Sequence, residues 1–177
     1  MRIISGQYKG KRITAPSKLP VRPTTDMAKE ALFNILNNQF FLQDLSVLDL
    51  FSGTGNISYE FAARGCSSIT AVDGNYDCMK FIKKTSTELG FPIAVIKSDV
   101  FKYLEHTALT SDIIFADPPY DMDLAQFEKI IELVSQKELL KENGRLIVEH
   151  SKHTDLSHVK NFLEQRRYGS SVFSFFE

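Results

Sequence analysis

SVLDLFSGTGNISYEFAARGCSSITAVD, residues 46–73, decides how the rest of the chain is read. Ser46–Phe51 is a short apolar run that stops at Ser52-Gly53-Thr54-Gly55, which predicts a buried strand entering a tight turn. Asn56–Arg64 then predicts a helix, with Gly65 as its C-terminal stop. Ser68–Asp73 predicts a second strand. Strand, glycine turn, helix and strand in immediate succession make one parallel unit.

The same alternation continues outward. A helix is expected from about Asn75 to Leu89, stopped by Gly90, and a third strand over Ile93–Ser98. A shorter helix near Phe101–Leu109 and a fourth strand over Asp112–Ala116 follow. A helix near Leu124–Leu140 leads to a fifth strand, Arg145–Glu149. Five strands alternating with helices predict an α/β fold with a mostly parallel sheet covered on both faces. Phe162–Arg167 and Val172–Phe176 flank Tyr168-Gly169-Ser170-Ser171 and predict a closing antiparallel hairpin, making seven strands. Upstream, Thr24-Thr25-Asp26 supplies capping residues. Met27, Ala28, Ala31, Leu32, Ile35 and Leu36 follow at helical spacing. RIISGQYKGKRIT, residues 2–14, predicts two short strands around a turn, and Pro16, Pro20 and Pro23 mark a connecting loop. The expected organisation is a basic N-terminal β-hairpin and loop over 1–23 and one domain over 24–177.

Composition is that of an ordinary globular chain: 177 residues, 43% apolar and 24% charged, with a net charge of −1. That excludes a polycation with general nucleic-acid affinity. The balance is uneven, however. Between Met1 and Lys29 stand Arg2, Lys9, Lys11, Arg12, Lys18, Arg22 and Lys29, against the single acid Asp26. Charge alone leaves two readings, a solvated basic arm or a phosphate-contacting one. Cys66 and Cys78 sit in no ligand or disulfide spacing, and the four histidines form no HExxH pattern, so no metal is expected. The N-terminus lacks the apolar core of a signal peptide, and no apolar run approaches the length of a membrane span. A cytoplasmic, monomeric protein without a membrane partner is expected.

Ligands of open α/β sheets bind beyond the carboxyl ends of the strands. Each of the first four predicted strands ends at an acid: Asp49, Asp73, Asp99 and Asp117. Gly53-Thr54-Gly55 lets backbone approach a ligand, but Ser58 replaces the third glycine of a dinucleotide fingerprint. No base stands in that loop to hold a pyrophosphate, and Asp49 beside it suits a cation. Asp73 falls where a carboxylate can accept from both ribose hydroxyls; a turn-starting Asp is the alternative. Asp99 could accept from an adenine amino group or simply cap the next helix. S-adenosylmethionine (SAM), with ribose, adenine, sulfonium and ammonium but no phosphate, fits these acids better than a nicotinamide dinucleotide. The fourth strand runs into Asp117-Pro118-Pro119-Tyr120. The prolines fix φ and donate nothing. Asp117 and the loop carbonyls accept hydrogen bonds, and Tyr120 offers a face for stacking. Together they suit a flat molecule bearing an amino group.

These residues resemble the class I SAM-dependent methyltransferases that act on exocyclic amines, a Rossmann-like fold. MRIISGQYKGKRITAPSKLPVRPTTDMAKEALFNIL, VLDLFSGTGNIS, AVDGN, SDVF, ADPPYD and RRYGSSVFSFF further resemble the RsmD family, which methylates the N2 amino group of a guanine in bacterial 16S ribosomal RNA. The resemblance implies that Asp49, Ser52, Gly53 and Gly55 line the methionine end of SAM, Asp73 the ribose, and Asp99 with Val100 the adenine. It implies that Asp117, Pro118 and Tyr120 hold the guanine and that Arg22 and Thr24 cover cofactor or target. Lys9, Lys11 and Arg12 would touch RNA phosphates, on free rRNA or on the small ribosomal subunit. An adenine-N6 methyltransferase is the nearest rival; a nicotinamide-dependent oxidoreductase and a noncatalytic RNA-binding protein are more distant ones.

Overall fold

Seven strands form one sheet in the order β3-β2-β1-β4-β5-β7-β6 in a computed structural model that describes residues 1–19 and 24–177. The strands are β1 (Ser46–Leu50), β2 (Ser68–Asp73), β3 (Ile93–Lys97), β4 (Ser111–Ala116), β5 (Leu140–Ser151), β6 (Phe162–Tyr168) and β7 (Ser171–Phe176). The helices among the described residues are α1 (Asp26–Gln39), α2 (Asn56–Ala63), α3 (Tyr76–Leu89), α4 (Val100–His106) and α5 (Leu124–Gln136). β1 to β5 are parallel, and β7 inserts antiparallel between β5 and β6.

Strand alternation splits the apolar residues into two cores. Val47, Ile69, Ala71, Ile113, Phe115, Ile147 and Phe173 face α1, α2 and α3; Leu48, Leu50, Val72, Ile114, Ala116 and Val148 face α4 and α5. Helices on both faces and the closing hairpin are therefore as the sequence predicts. Local chemistry sets the boundaries. Thr25 caps α1, Asn75 caps α3, and Asp123 forms a capping box with Gln126 on α5.

Two boundaries shift from expectation. α5 stops at Gln136, because Glu138 adopts φ 52° and Leu139 turns back into the core, its N–H bonding the Val134 carbonyl at 3.0 Å. β5 then starts early, at Leu140, and skips register between Ser111 and Ile113 of β4.

The N-terminal arm makes a hairpin-like loop with a single ladder bridge, Arg2 to Arg12, rather than two full strands. Gly6, Tyr8 and Gly10 all have positive φ, which bends the chain too sharply for a longer ladder. A Cβ on Gly6 would lie 1.9 Å from the Ala63 carbonyl oxygen, so only glycine allows the arm this close to α2. Ile3, Ile13 and Leu19 are buried in the core on the α1–α3 side.

The arm is also held by charge. Glu60, fully buried on α2, accepts from the Ile4 and Ser5 N–H groups at 2.8 and 3.1 Å. It pairs with Arg64 at 2.9 Å and with Lys29 at 3.5 Å. Lys29, which the sequence groups with the exposed bases of the arm, is instead 1% exposed; it donates to the Arg2 carbonyl and to Asn56 Oδ1. Burial pulls its pKa below the usual lysine value, against the pull of Glu60.

Candidate active site

The strand order reverses between β1 and β4, and a cleft of about 430 Å³ opens there beyond the strand ends. Pairing explains why acids converge on it. Asp49 of β1 is the register partner of Phe115 of β4, and Asp117 stands two residues further on, on the same face. The next strand repeats the pattern: Phe115 pairs with Ile147, and Glu149 stands two residues beyond that. Three neighbouring strands thus present Asp49, Asp117 and Glu149 on one side of the sheet.

Asp49 is 1% exposed. Its Oδ2 accepts from the Ser58 N–H at 3.1 Å and from Ser58 Oγ at 2.5 Å. Burial raises its pKa to about 7, with Asp73 adding to the rise and the Ser58 hydrogen bonds opposing it. Asp117 is half-buried. Loss of solvent, then the charges of Glu149 and Asp49, push its pKa well above the usual carboxylate value. Glu149 accepts from Thr24 Oγ1 at 2.7 Å and faces Tyr120 Oη at 3.5 Å. Tyr120 also meets Ser171 Oγ at 3.4 Å and stays 40% exposed at the rim.

Between strand and helix, Phe51, Gly53 and Gly55 have φ of 54°, 52° and 85°. A bulky residue in the left-handed region is strained and marks a loop held by its surroundings. Asp73 provides part of that hold. Its Oδ2 accepts from the Gly53 N–H at 2.9 Å and its Oδ1 from the Asn75 N–H at 2.7 Å. Each oxygen keeps acceptor capacity. At Gly55 a Cβ would come within 2.9 Å of Ile82 and Tyr59, so this glycine is needed for helix packing as well as for the turn.

No lysine, arginine or histidine lines the cleft among the described residues, whereas Asp49, Asp73 and Asp117 do. Such a wall repels phosphate and suits a cationic ligand with hydroxyls to donate. The described residues contain no group of three or more His, Cys, Asp or Glu arranged to hold a metal ion. None of their helices is long and apolar enough to cross a membrane.

The family model described as "Conserved hypothetical protein 95" matches residues 1–177. Ribosomal RNA small subunit methyltransferase D of Buchnera aphidicola subsp. Baizongia pistaciae is 32% identical over 84% of this chain and 75% of its own. The chain belongs to the ribosomal RNA small subunit methyltransferase D family. The same fold recurs in a hypothetical protein of Thermus thermophilus, with a TM-score of 0.86, 24% identity and coverage of 100% of this chain and 99% of that one. It recurs again in the T. thermophilus 16S rRNA N2 G1207 methyltransferase, solved with AdoMet and guanosine. That likeness has a TM-score of 0.72 and 18% identity over 90% of this chain and 45% of the other.

Against this family background the individual residues sort clearly. Asp49, Ser52, Gly53, Asp73, Asp117, Pro118, Tyr120 and Thr24 all line the cleft. Gly55 sits just behind it as the N-cap of α2. Asp99 and Val100 do not line it. Asp99 caps α4 by accepting from the Lys102 N–H at 2.9 Å, and Val100 is buried among α4 and α5 residues. Arg22 lies outside the described residues. Lys9, Lys11 and Arg12 are exposed on the arm, with Lys11 5.8 Å from the centre of the Tyr8 ring.

Sequence reasoning missed Glu149, although RLIVE ends at an acid as the first four strands do. It also missed Asn56, which lines the cleft and ties it to the arm: its Nδ2 donates to the Thr24 carbonyl and its Oδ1 accepts from Lys29. Ser58, noted only as a departure from a glycine pattern, proves to be the residue that holds Asp49.

Proposed function

We propose that this protein transfers a methyl group from SAM to the exocyclic N2 amino group of a guanine in bacterial 16S ribosomal RNA, acting as a monomer on rRNA or on the small ribosomal subunit. The observation that carries the reading is the acid-walled cleft with Asp117-Pro118-Pro119-Tyr120 at its edge. Bound SAM supplies an electrophilic methyl group on a cationic sulfur. Asp49, Ser52 and Gly53 would meet its methionine end, and Asp73 would accept from the ribose. The adenine role of Asp99 and Val100 has the family resemblance alone behind it.

The chain's own residues then act on the base. A guanine amine is a poor nucleophile because its lone pair is delocalised into the ring. Asp117 and the Pro118 carbonyl accept its two N–H groups, which favours a pyramidal nitrogen with its lone pair out of the ring plane. Pro118 and Pro119 hold those acceptors still because their φ angles are fixed. Tyr120 stacks on the base, which must leave its own stack to enter. Asp117 takes the released proton; burial, Glu149 and Asp49 have already raised its proton affinity. Alignment of this kind is worth roughly 7–11 kcal/mol in favourable cases.

The pocket suits any exocyclic amine. What the relatives are named for supports small-subunit RNA as the substrate; the choice of guanine has the sequence resemblance behind it. The test is to incubate the protein with methyl-labelled SAM and unmodified 16S rRNA or small-subunit particles, digest the RNA and identify the labelled nucleoside. N2-methylguanosine is the expected product. Label in N6-methyladenosine would overturn the guanine assignment, and absence of label from both substrates would overturn the RNA assignment.

A further inference from the structure

The active cleft does not end at its own walls. Thr54 lines both the cleft and a second hollow bounded by Arg12, Ile13, Thr14, Pro16 and Leu19. Those same five residues also line a groove of about 510 Å³ between the arm and α3. Thr24 links the cleft to a third hollow that again includes Arg12. Arg12 therefore stands where three depressions meet, next to the cleft.

The outer walls of the groove are cationic. Lys11 and Lys18 come from the arm, and Lys80 and Lys84 from α3. All four and Arg12 are exposed. Lys80 and Lys84 lie one turn apart and so share a face of α3. Two acids, Asp77 and Glu88, answer five cations, in a chain whose net charge is −1. The pair Lys84–Glu88 is 3.8 Å long, with side chains 74% and 60% exposed, which leaves it too weak to keep Lys84 from another anion. Like charges lining one groove repel one another unless a polyanion is present.

We propose that this groove docks the backbone of the RNA substrate: a strand entering the active cleft continues past Arg12 and lays its phosphates against Lys11, Lys18, Lys80 and Lys84. The inference rests on RNA being the substrate. It adds α3 to the arm as a second, opposing wall. The contacts are to phosphate, so they position the RNA and carry no sequence information. The concave, polar-rimmed shape fits a strand better than a flat lipid surface.

The test replaces both helix lysines, Lys80→Gln with Lys84→Gln, in the full chain and follows RNA affinity against salt. Each phosphate contact adds about 0.7–0.9 to the slope of log affinity against log salt, so losing two lowers the slope by about 1.4–1.8. Affinity then falls on the order of 25- to 60-fold at 0.1 M salt and little at 1 M. SAM affinity should be retained, and the loss in methylation should fall on KM for RNA rather than on kcat. An unchanged slope and affinity would overturn the groove while leaving the rRNA reading intact if wild type still methylates rRNA. A reduced slope in the variant, with wild type methylating no rRNA, would support the groove and overturn the substrate reading. Lysine-dependent binding to phosphatidylglycerol vesicles, with RNA binding unaffected, would assign the groove to a lipid surface and overturn it too.

Discussion

Replacing Asp49 with asparagine should make the free protein more stable above neutral pH while weakening its hold on SAM. The reason is the position of the carboxylate. Asp49 is 1% exposed, and burial raises its pKa from 3.8 to about 7. A folded-state pKa above the unfolded one means that folding takes up a proton. The stabilising contribution is therefore complete below pH 3.8 and lost as pH rises through about 7. A shift of three units corresponds to at most about 4 kcal/mol between the two ends of that window. Asparagine keeps an oxygen to accept from the Ser58 N–H and Oγ. Its amide hydrogens must find acceptors at a position only 1% exposed, which offsets part of the gain. Above pH 8 a gain of about 1–3 kcal/mol over the parent is expected, since the new amide is not cost-free. At pH 5 the gain should be about 2–3 kcal/mol smaller, near zero or reversed, because most of the loss in the parent accrues between pH 5 and 7. Urea denaturation at pH 5, 7 and 9 measures this directly. Calorimetric titration with SAM supplies the functional half. Losing a hydrogen bond to a charged acceptor, about 1.5–3 kcal/mol, raises Kd by about 10- to 100-fold. A variant no more stable than the parent at pH 9 would refute the idea that the cleft holds a costly charge in wait for a cation.

Three other perturbations probe the rest of the site. Asp117→Ala should lower methyl transfer by about 10²- to 10⁴-fold with SAM affinity within tenfold of the parent, measured by single-turnover label transfer beside calorimetry. In the parent, the same assay should show activity rising with pH through a midpoint above the ordinary carboxylate value of 3.8. Glu60→Gln leaves the buried Lys29 ammonium without its counter-charge and turns one of the two acceptors of the arm N–H groups into a donor, at a cost of about 3–5 kcal/mol in urea denaturation. Lys29 has a folded pKa below its unfolded value of 10.5, so the unfolded chain binds the extra proton and the loss in the variant should shrink as pH rises toward 10.5. Gly55→Ala must place a Cβ 2.9 Å from Ile82 and Tyr59 at a φ of 85°. Strain and overpacking together should cost about 2–5 kcal/mol, lowering Tm by roughly 5–15 °C.

The strand and helix pattern was legible because it depends on short-range periodicity and on punctuation by Gly53, Gly65 and Gly90. Four acids at four strand ends were legible for the same reason, and the rule that ligands bind beyond the carboxyl ends of the strands marked them as candidates before any coordinates. Asp99 shows where that reasoning stays open. An acid after a strand can face the cleft or cap the next helix, and sequence spacing is the same for both. Lys29 shows where sequence reasoning fails. Its place in a basic run suggested solvent, yet its partner Glu60 lies on another helix, and only packing of α1 against α2 brings them within 3.5 Å.

By itself, then, the sequence determined which elements form, their order, and the chemistry available at each strand end, because those follow from neighbours a few residues apart. Tertiary structure alone decided which of those acids share one face. It buried Asp49 against Ser58 and added Glu149 from the fifth strand. It also drew the arm against α3 so that Lys11, Arg12 and Lys18 oppose Lys80 and Lys84. Those outcomes depend on strand register and helix packing across long separations, where burial and charge act on residues that the chain itself keeps far apart.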